Sequence, residues 1–115
     1  MEVSRECLLD LVHKWEAGIL SEKDIHEIAE QLIEEKDLPQ LSDSDPSSIE
    51  WEVLSQLDIL NHQLITSEDI PAIIDFLSTP LGQEINGWRK WRAYWNNVDI
   101  EFRRHQLKNN PFYIT

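Results

Sequence analysis

Ser21-Glu22-Lys23-Asp24-Ile25-His26-Glu27-Ile28-Ala29-Glu30-Gln31-Leu32-Ile33 is the stretch from which the fold is read. Ile25, Ile28, Ala29, Leu32 and Ile33 recur at steps of three and four, the period of a helix that buries one face. Ser21 stands where an N-cap hydroxyl takes a helix N–H. Asp24, three residues on, stands where a carboxylate reaches back to the cap N–H. The pattern predicts a helix over residues 22–36, with its acids turned outward.

The same pattern returns downstream. Sliding the chain by 45 residues lays Leu8 on Val53, Leu9 on Leu54, Val12 on Leu57 and Ile19 on Leu64. It also lays Ser21 on Thr66, Asp24-Ile25 on Asp69-Ile70, Ile28 on Ile73 and Leu32 on Leu77. This reads as two helical hairpins with the same cap and the same core face. The first begins with a helix over 3–17, whose stripe is Leu8, Val12, Trp15 and Ile19, stopped by Gly18. A polar linker over 37–47 leads to the second. There a helix over 48–62 is capped by Ser47 with Glu50 in the box position, and another over 67–77 is capped by Thr66 with Asp69. Pro71 falls in the first turn of the latter, where a missing N–H is tolerated. A long helix over 81–107 follows, ended by Asn109-Asn110-Pro111. The expected fold is all-α, one domain over 1–115: a five-helix bundle of two tandem hairpins plus a long C-terminal helix.

Composition bounds what such a bundle can do. Hydrophobic residues make up 41% of the 115, enough for an ordinary core. One cysteine, Cys7, excludes an internal disulfide. The opening residues carry no basic cluster followed by an apolar run, and no apolar stretch approaches the roughly 20 residues of a membrane span. Together these lead to the expectation of a cytoplasmic protein without a membrane partner. The net charge is −12 and unevenly placed: residues 1–78 carry −15 and residues 79–115 carry +3. Like charge repels phosphate, so the first two-thirds is no nucleic-acid surface. The same field would speed association with a basic protein, although acidic surfaces also serve solubility alone.

Residue constellations offer little chemistry. Trp88, Trp91 and Trp95 continue through Val98 and Phe102 on one face of the last helix. That spacing reads as core, and as a partner anchor if left exposed. Arg89, Lys90, Arg92, Arg103 and Arg104 fall on the other faces, where they would pair with the acidic N-terminal helices. His13 follows Asp10, His26 follows Glu22, His62 follows Asp58 and His105 follows Glu101 by three or four residues. These read as helix-face pairs rather than a metal site. Cys7, between Glu6 and Asp10, has the wrong neighbours for a nucleophile. No serine sits in a Gly-x-Ser-x-Gly elbow, and three glycines cannot build a phosphate loop. Asp43-Ser44-Asp45 opens like a calcium loop, but Ser48 and Leu54 stand at its glycine and glutamate positions. Asn110-Pro111-Phe112-Tyr113 matches an adaptor-binding peptide pattern, and reads better as an aromatic tail docked on the core. No catalytic residue, metal or cofactor is assigned.

The opening Leu8-Leu9-Asp10-Leu11-Val12 and the turn Trp15-Glu16-Ala17-Gly18-Ile19-Leu20-Ser21 into an acidic helix resemble small acidic all-α bacterial immunity proteins. These are the colicin type and those paired with contact-dependent toxins. The resemblance implies an inhibitor that covers the cationic site of a toxin or nuclease. On that reading Glu27, Glu30, Glu34, Glu35, Asp43 and Asp45 form the partner-binding surface, and Trp51 is the candidate apolar contact. A regulatory or adaptor subunit and a metal-binding bundle stand as the alternatives, and self-association stays open.

Overall fold

The computed structural model describes residues 3–34 and 39–115. Every regular element among them is helical: α1 (Arg5–Glu16), α2 (Glu22–Glu34), α3 (Ser48–Asp58), α4 (Leu60–Gln63), a 3₁₀ turn (Ser67–Asp69), α5 (Ile70–Leu77), α6 (Glu84–Asn96) and α7 (Ile100–Leu107). The all-α class stands, but the count of five helices does not, because two of them are interrupted. The helix expected over 48–62 breaks at Ile59 (φ −116°, ψ 28°), and its remainder ends on Leu64 in the left-handed region at φ 56°. The helix expected over 81–107 begins at Glu84 and stops at Asn96. Asp99 then starts a new segment by accepting the Phe102 N–H at 2.9 Å.

Both duplicated caps form. Ser21 N–H donates to Asp24 at 2.9 Å while Asp24 N–H donates to the Ser21 hydroxyl at 3.2 Å. Thr66 N–H donates to Asp69 at 2.9 Å in the second capping box. Ser47 is a correction: its side chain makes no cap hydrogen bond, and Glu50 instead accepts from Arg5 at 2.7 Å. Ile19 is another. Gly18 turns the chain at φ 77°, which throws Ile19 off the α1 stripe and leaves it 70% exposed. Its counterpart Leu64 is buried.

Helix α2 packs along α3, α1 along α5, and α3 against α5, closing two hairpins around one core. Leu8, Val12, Ile25, Leu54, Leu57 and Ile73 are among its buried members. Each such side chain contributes about 1.5–3 kcal/mol by leaving water. Helix α6 lies on α5, where Phe76 stacks on Trp91 at 4.5 Å and meets Trp88 edge-on at 5.2 Å. Gly87 permits this approach, because a Cβ there would stand 2.4 Å from the Thr79 hydroxyl. The C-terminal tail docks as its aromatic content implied. Tyr113 is buried and its hydroxyl donates to the Ile65 carbonyl at 2.6 Å, while Ile114 N–H donates to the Asn61 carbonyl at 3.1 Å. The tyrosine of the peptide-like motif is therefore covered.

Candidate functional site

Two surfaces carry the residues that sequence singled out. The first is the outer face of α2. Its apolar stripe turns inward, so Glu27, Glu30 and Glu34 lie exposed on the opposite side. Glu6, Asp10 and Glu16 are exposed on the neighbouring α1. The cations nearby are held by single carboxylates: Lys23 lies 4.0 Å from Glu27 and Lys14 3.0 Å from Asp10. Exposed pairs of this kind contribute about 0–1 kcal/mol. Glu35 lies outside the described residues. The histidine pairing differs from expectation: His13 faces Glu16 at 3.7 Å and His26 faces Glu30 at 3.4 Å, partners on the C-terminal side rather than Asp10 and Glu22. Asp10 is already turned to Lys14.

Asp43 and Asp45 have other tasks. Asp43 is half-buried and takes the guanidinium of Arg92 from α6. Asp45, also half-buried, accepts the Ser42 N–H at 2.8 Å and closes the turn before α3. Neither belongs to the face formed by Glu27, Glu30 and Glu34. Trp51 is half-buried against the core and lines a shallow hollow of about 220 Å³ with Leu41 and Trp88.

The second surface contains the tryptophan stripe, read from sequence as core or as a partner anchor if exposed, but Glu52 and Gln56 opposite it were not singled out as site residues. Between α3 and α6 lies a cavity of about 400 Å³, walled by Trp88, Trp91, Trp95, Ile100 and the cationic Arg92, with Glu52 and Gln56 on the α3 side. It shares Trp88 and Glu52 with the hollow beside Trp51, so the two lie side by side. The tryptophan stripe is thus divided. Trp91 is buried to 4% exposure, Trp88 and Trp95 are half-buried, and Phe102, expected to continue the stripe, is 59% exposed because α6 has ended before it. Glu52 accepts the Trp91 indole N–H at 3.2 Å and lies 3.4 Å from the Gln56 amide nitrogen. Among the described residues no cation pairs with Glu52, whereas Glu50, two residues before it, is paired with Arg5. The signal in the sequence was the i, i+4 spacing of Glu52 and Gln56 beside the Val53, Leu54 and Leu57 core face. Its meaning depended on what packed opposite.

The C-terminal bases pair internally, but not with α1 or α2. Arg92 goes to Asp43 and Arg104 to Glu101. Arg103 is buried and grips Asp69 through two hydrogen bonds of 2.7 and 2.9 Å, and also donates to the Leu64 carbonyl at 3.1 Å. Burial opposes its charge, yet the Asp69 hydrogen bonds and charge outweigh this and raise the guanidinium pKa further. Tyr94 donates its hydroxyl to the same carboxylate. Burial first, and then Asp69, pushes that phenol up to about 12. This cluster ties α6 and α7 to the second capping box. Arg89 and Lys90 remain exposed on α6.

Cys7 is half-buried, and burial followed by the charge of Asp10 raises its thiol pKa. Among the described residues no three histidine, cysteine or carboxylate side chains converge as metal ligands. No helix among them is long and apolar enough to cross a membrane. Compared with protein-family models, curated proteins and solved structures, the chain matches none.

Proposed function

We propose that this chain is a non-catalytic binding protein that inhibits a basic protein partner, of toxin or nuclease type, through the acidic outer face of α2. The observation that carries this reading is the exposure of Glu27, Glu30 and Glu34 on one helix face, with Lys23 and His26 their basic neighbours along α2. The exposed bases Arg89 and Lys90 sit on α6, which packs on α5 rather than on α2. Charge is therefore segregated in space as well as in sequence. Such a face raises the encounter rate with a cationic surface, and salt weakens that steering. A nuclease site is cationic because it holds phosphate, so an acidic helix laid across it competes with the substrate's charge.

The test is capture of a partner from the source organism by tagged protein at low and high salt. The same capture is repeated with Glu27, Glu30 and Glu34 changed to Lys. One basic protein held stoichiometrically by the wild type, weakened by salt and lost in the variant, is the expected result. A partner indifferent to both salt and charge reversal overturns the reading. The alternative, an adaptor subunit, draws its support from two exposed apolar residues, Leu81 in the turn before α6 and Ile85 in its first turn. It requires a salt-resistant complex abolished by polar substitutions there.

A further inference from the structure

Two carboxylates near Glu52 in the chain or at the groove hold cations, whereas among the described residues no cation pairs with Glu52. Glu50 has Arg5 and Asp43 has Arg92. Glu52 has two neutral neighbours, the Trp91 indole and the Gln56 amide. Around it stand Trp88 and Trp95, half-buried and open to a cavity of about 400 Å³, with Ile100 on the wall. Tryptophan faces attract cations through the ring quadrupole, and the attraction grows when water is displaced. The molecule already shows this at the groove: the Arg92 guanidinium carbon lies 4.9 Å from the Trp88 ring centroid. Arg92 also lines the cavity, but its guanidinium is bonded to Asp43 and makes no ion pair with Glu52.

We infer that the groove between α3 and α6 receives one cationic side chain, lysine or arginine, of a protein partner. Its charged head would be held by Glu52 and its alkyl stem would lie between Trp88 and Trp95. The stem matches the apolar walls, and the head supplies the counter-ion that Glu52 lacks. A half-open pocket lined by aromatics beside a carboxylate is also a setting for a single anchor residue at an interface. The inference rests on the reading of the chain as a binder of a basic protein, but assigns a contact separate from the acidic face of α2.

The experiment titrates isotopically labelled protein with N-acetyl-lysine methylamide, N-acetyl-arginine methylamide and the uncharged N-acetyl-norleucine methylamide. The indole N–H resonances are followed. The cationic compounds are expected to shift Trp91 and Trp88 saturably, while Trp15 in the core of the first hairpin stays still. The norleucine compound is expected to bind about tenfold more weakly or worse. Glu52→Gln keeps an acceptor for the Trp91 indole and should abolish the preference for charge. No saturable shift, equal affinity for norleucine, or a preference surviving in Glu52→Gln each overturns the inference. The wild-type comparison stands even if that variant folds poorly. Glu27, Glu30 and Glu34 changed to Lys should leave this titration unchanged while abolishing partner capture. Failure of the groove and failure of the acidic face are thereby read separately.

Discussion

Replacing Arg103 by methionine removes a cation whose side chain is 8% exposed from a carboxylate that is 0% exposed. Asp69 would be left with Tyr94 and the Thr66 N–H as donors, and the Leu64 carbonyl would lose its guanidinium. A buried ion pair broken on one side leaves an uncompensated charge, which costs about 3–5 kcal/mol. Total stability for a domain of this size is about 5–15 kcal/mol, so the variant should be folded but marginal. With a urea slope of about 2 kcal/mol per molar, the midpoint should fall by roughly 2 M at unchanged slope. Asp69→Asn should cost a similar amount, because it leaves the buried Arg103 only the exposed Glu68, 3.8 Å away, as counter-charge. Combining the two removes both charges, so the double variant should lose at least about 2 kcal/mol less than the sum of the singles. Asp24→Asn is the internal control: Asp24 fills the same box position in the first hairpin, is not buried, and should give a far smaller effect. The reasoning fails if Arg103→Met moves stability by less than about 1 kcal/mol, or if the double variant is additive within about 0.5 kcal/mol.

Gly87→Ala should destabilise by about 1–3 kcal/mol despite the better helix propensity of alanine. The added Cβ meets Thr79, whose hydroxyl is fixed on the Phe76 carbonyl at 2.6 Å, and chemical denaturation reads the sign. Both tyrosines should resist ionisation near their ordinary pH of 10, with Tyr94 titrating near pH 12 and Tyr113, held up chiefly by burial, higher still. Their folded pKa values lie above the unfolded ones, so the stability they contribute is intact below pH 10 and is lost as pH rises through Tyr94's value. Tyrosinate absorbance against denaturation midpoint checks this, and phenolate appearing at pH 10 in folded protein contradicts it.

Helical class and charge distribution were legible in the chain because each is a local property, whereas the main packing, α2 on α3 and α1 on α5, joins one expected hairpin to the other. Periodicity marks the buried face wherever the helix packs, so Leu8, Val12, Ile25, Leu57 and Ile73 were placed correctly without a neighbour in view. The capping boxes at Ser21 and Thr66 were legible for the same reason, since both partners lie within four residues. Interruptions were harder. Nothing in Leu57-Asp58-Ile59-Leu60 breaks a helical period, yet the helix breaks at Ile59, and five residues on the Leu64 carbonyl meets Arg103.

Asp24 and Asp69 show most directly what sequence determined and what only the tertiary structure decided. They occupy one position of one repeated motif, and sequence assigned both the same task of capping a helix, which both perform. The fold alone made Asp69 the buried centre of a cluster, because Arg103, 34 residues away, returns to it with Tyr94. Glu50 and Glu52 diverge likewise, one meeting Arg5 and the other facing tryptophans from α6. A carboxylate's local pattern specifies which way it points. What stands opposite depends on contacts tens of residues apart, and those contacts separate a capped helix from a buried ion pair, and a solvated acid from a binding groove.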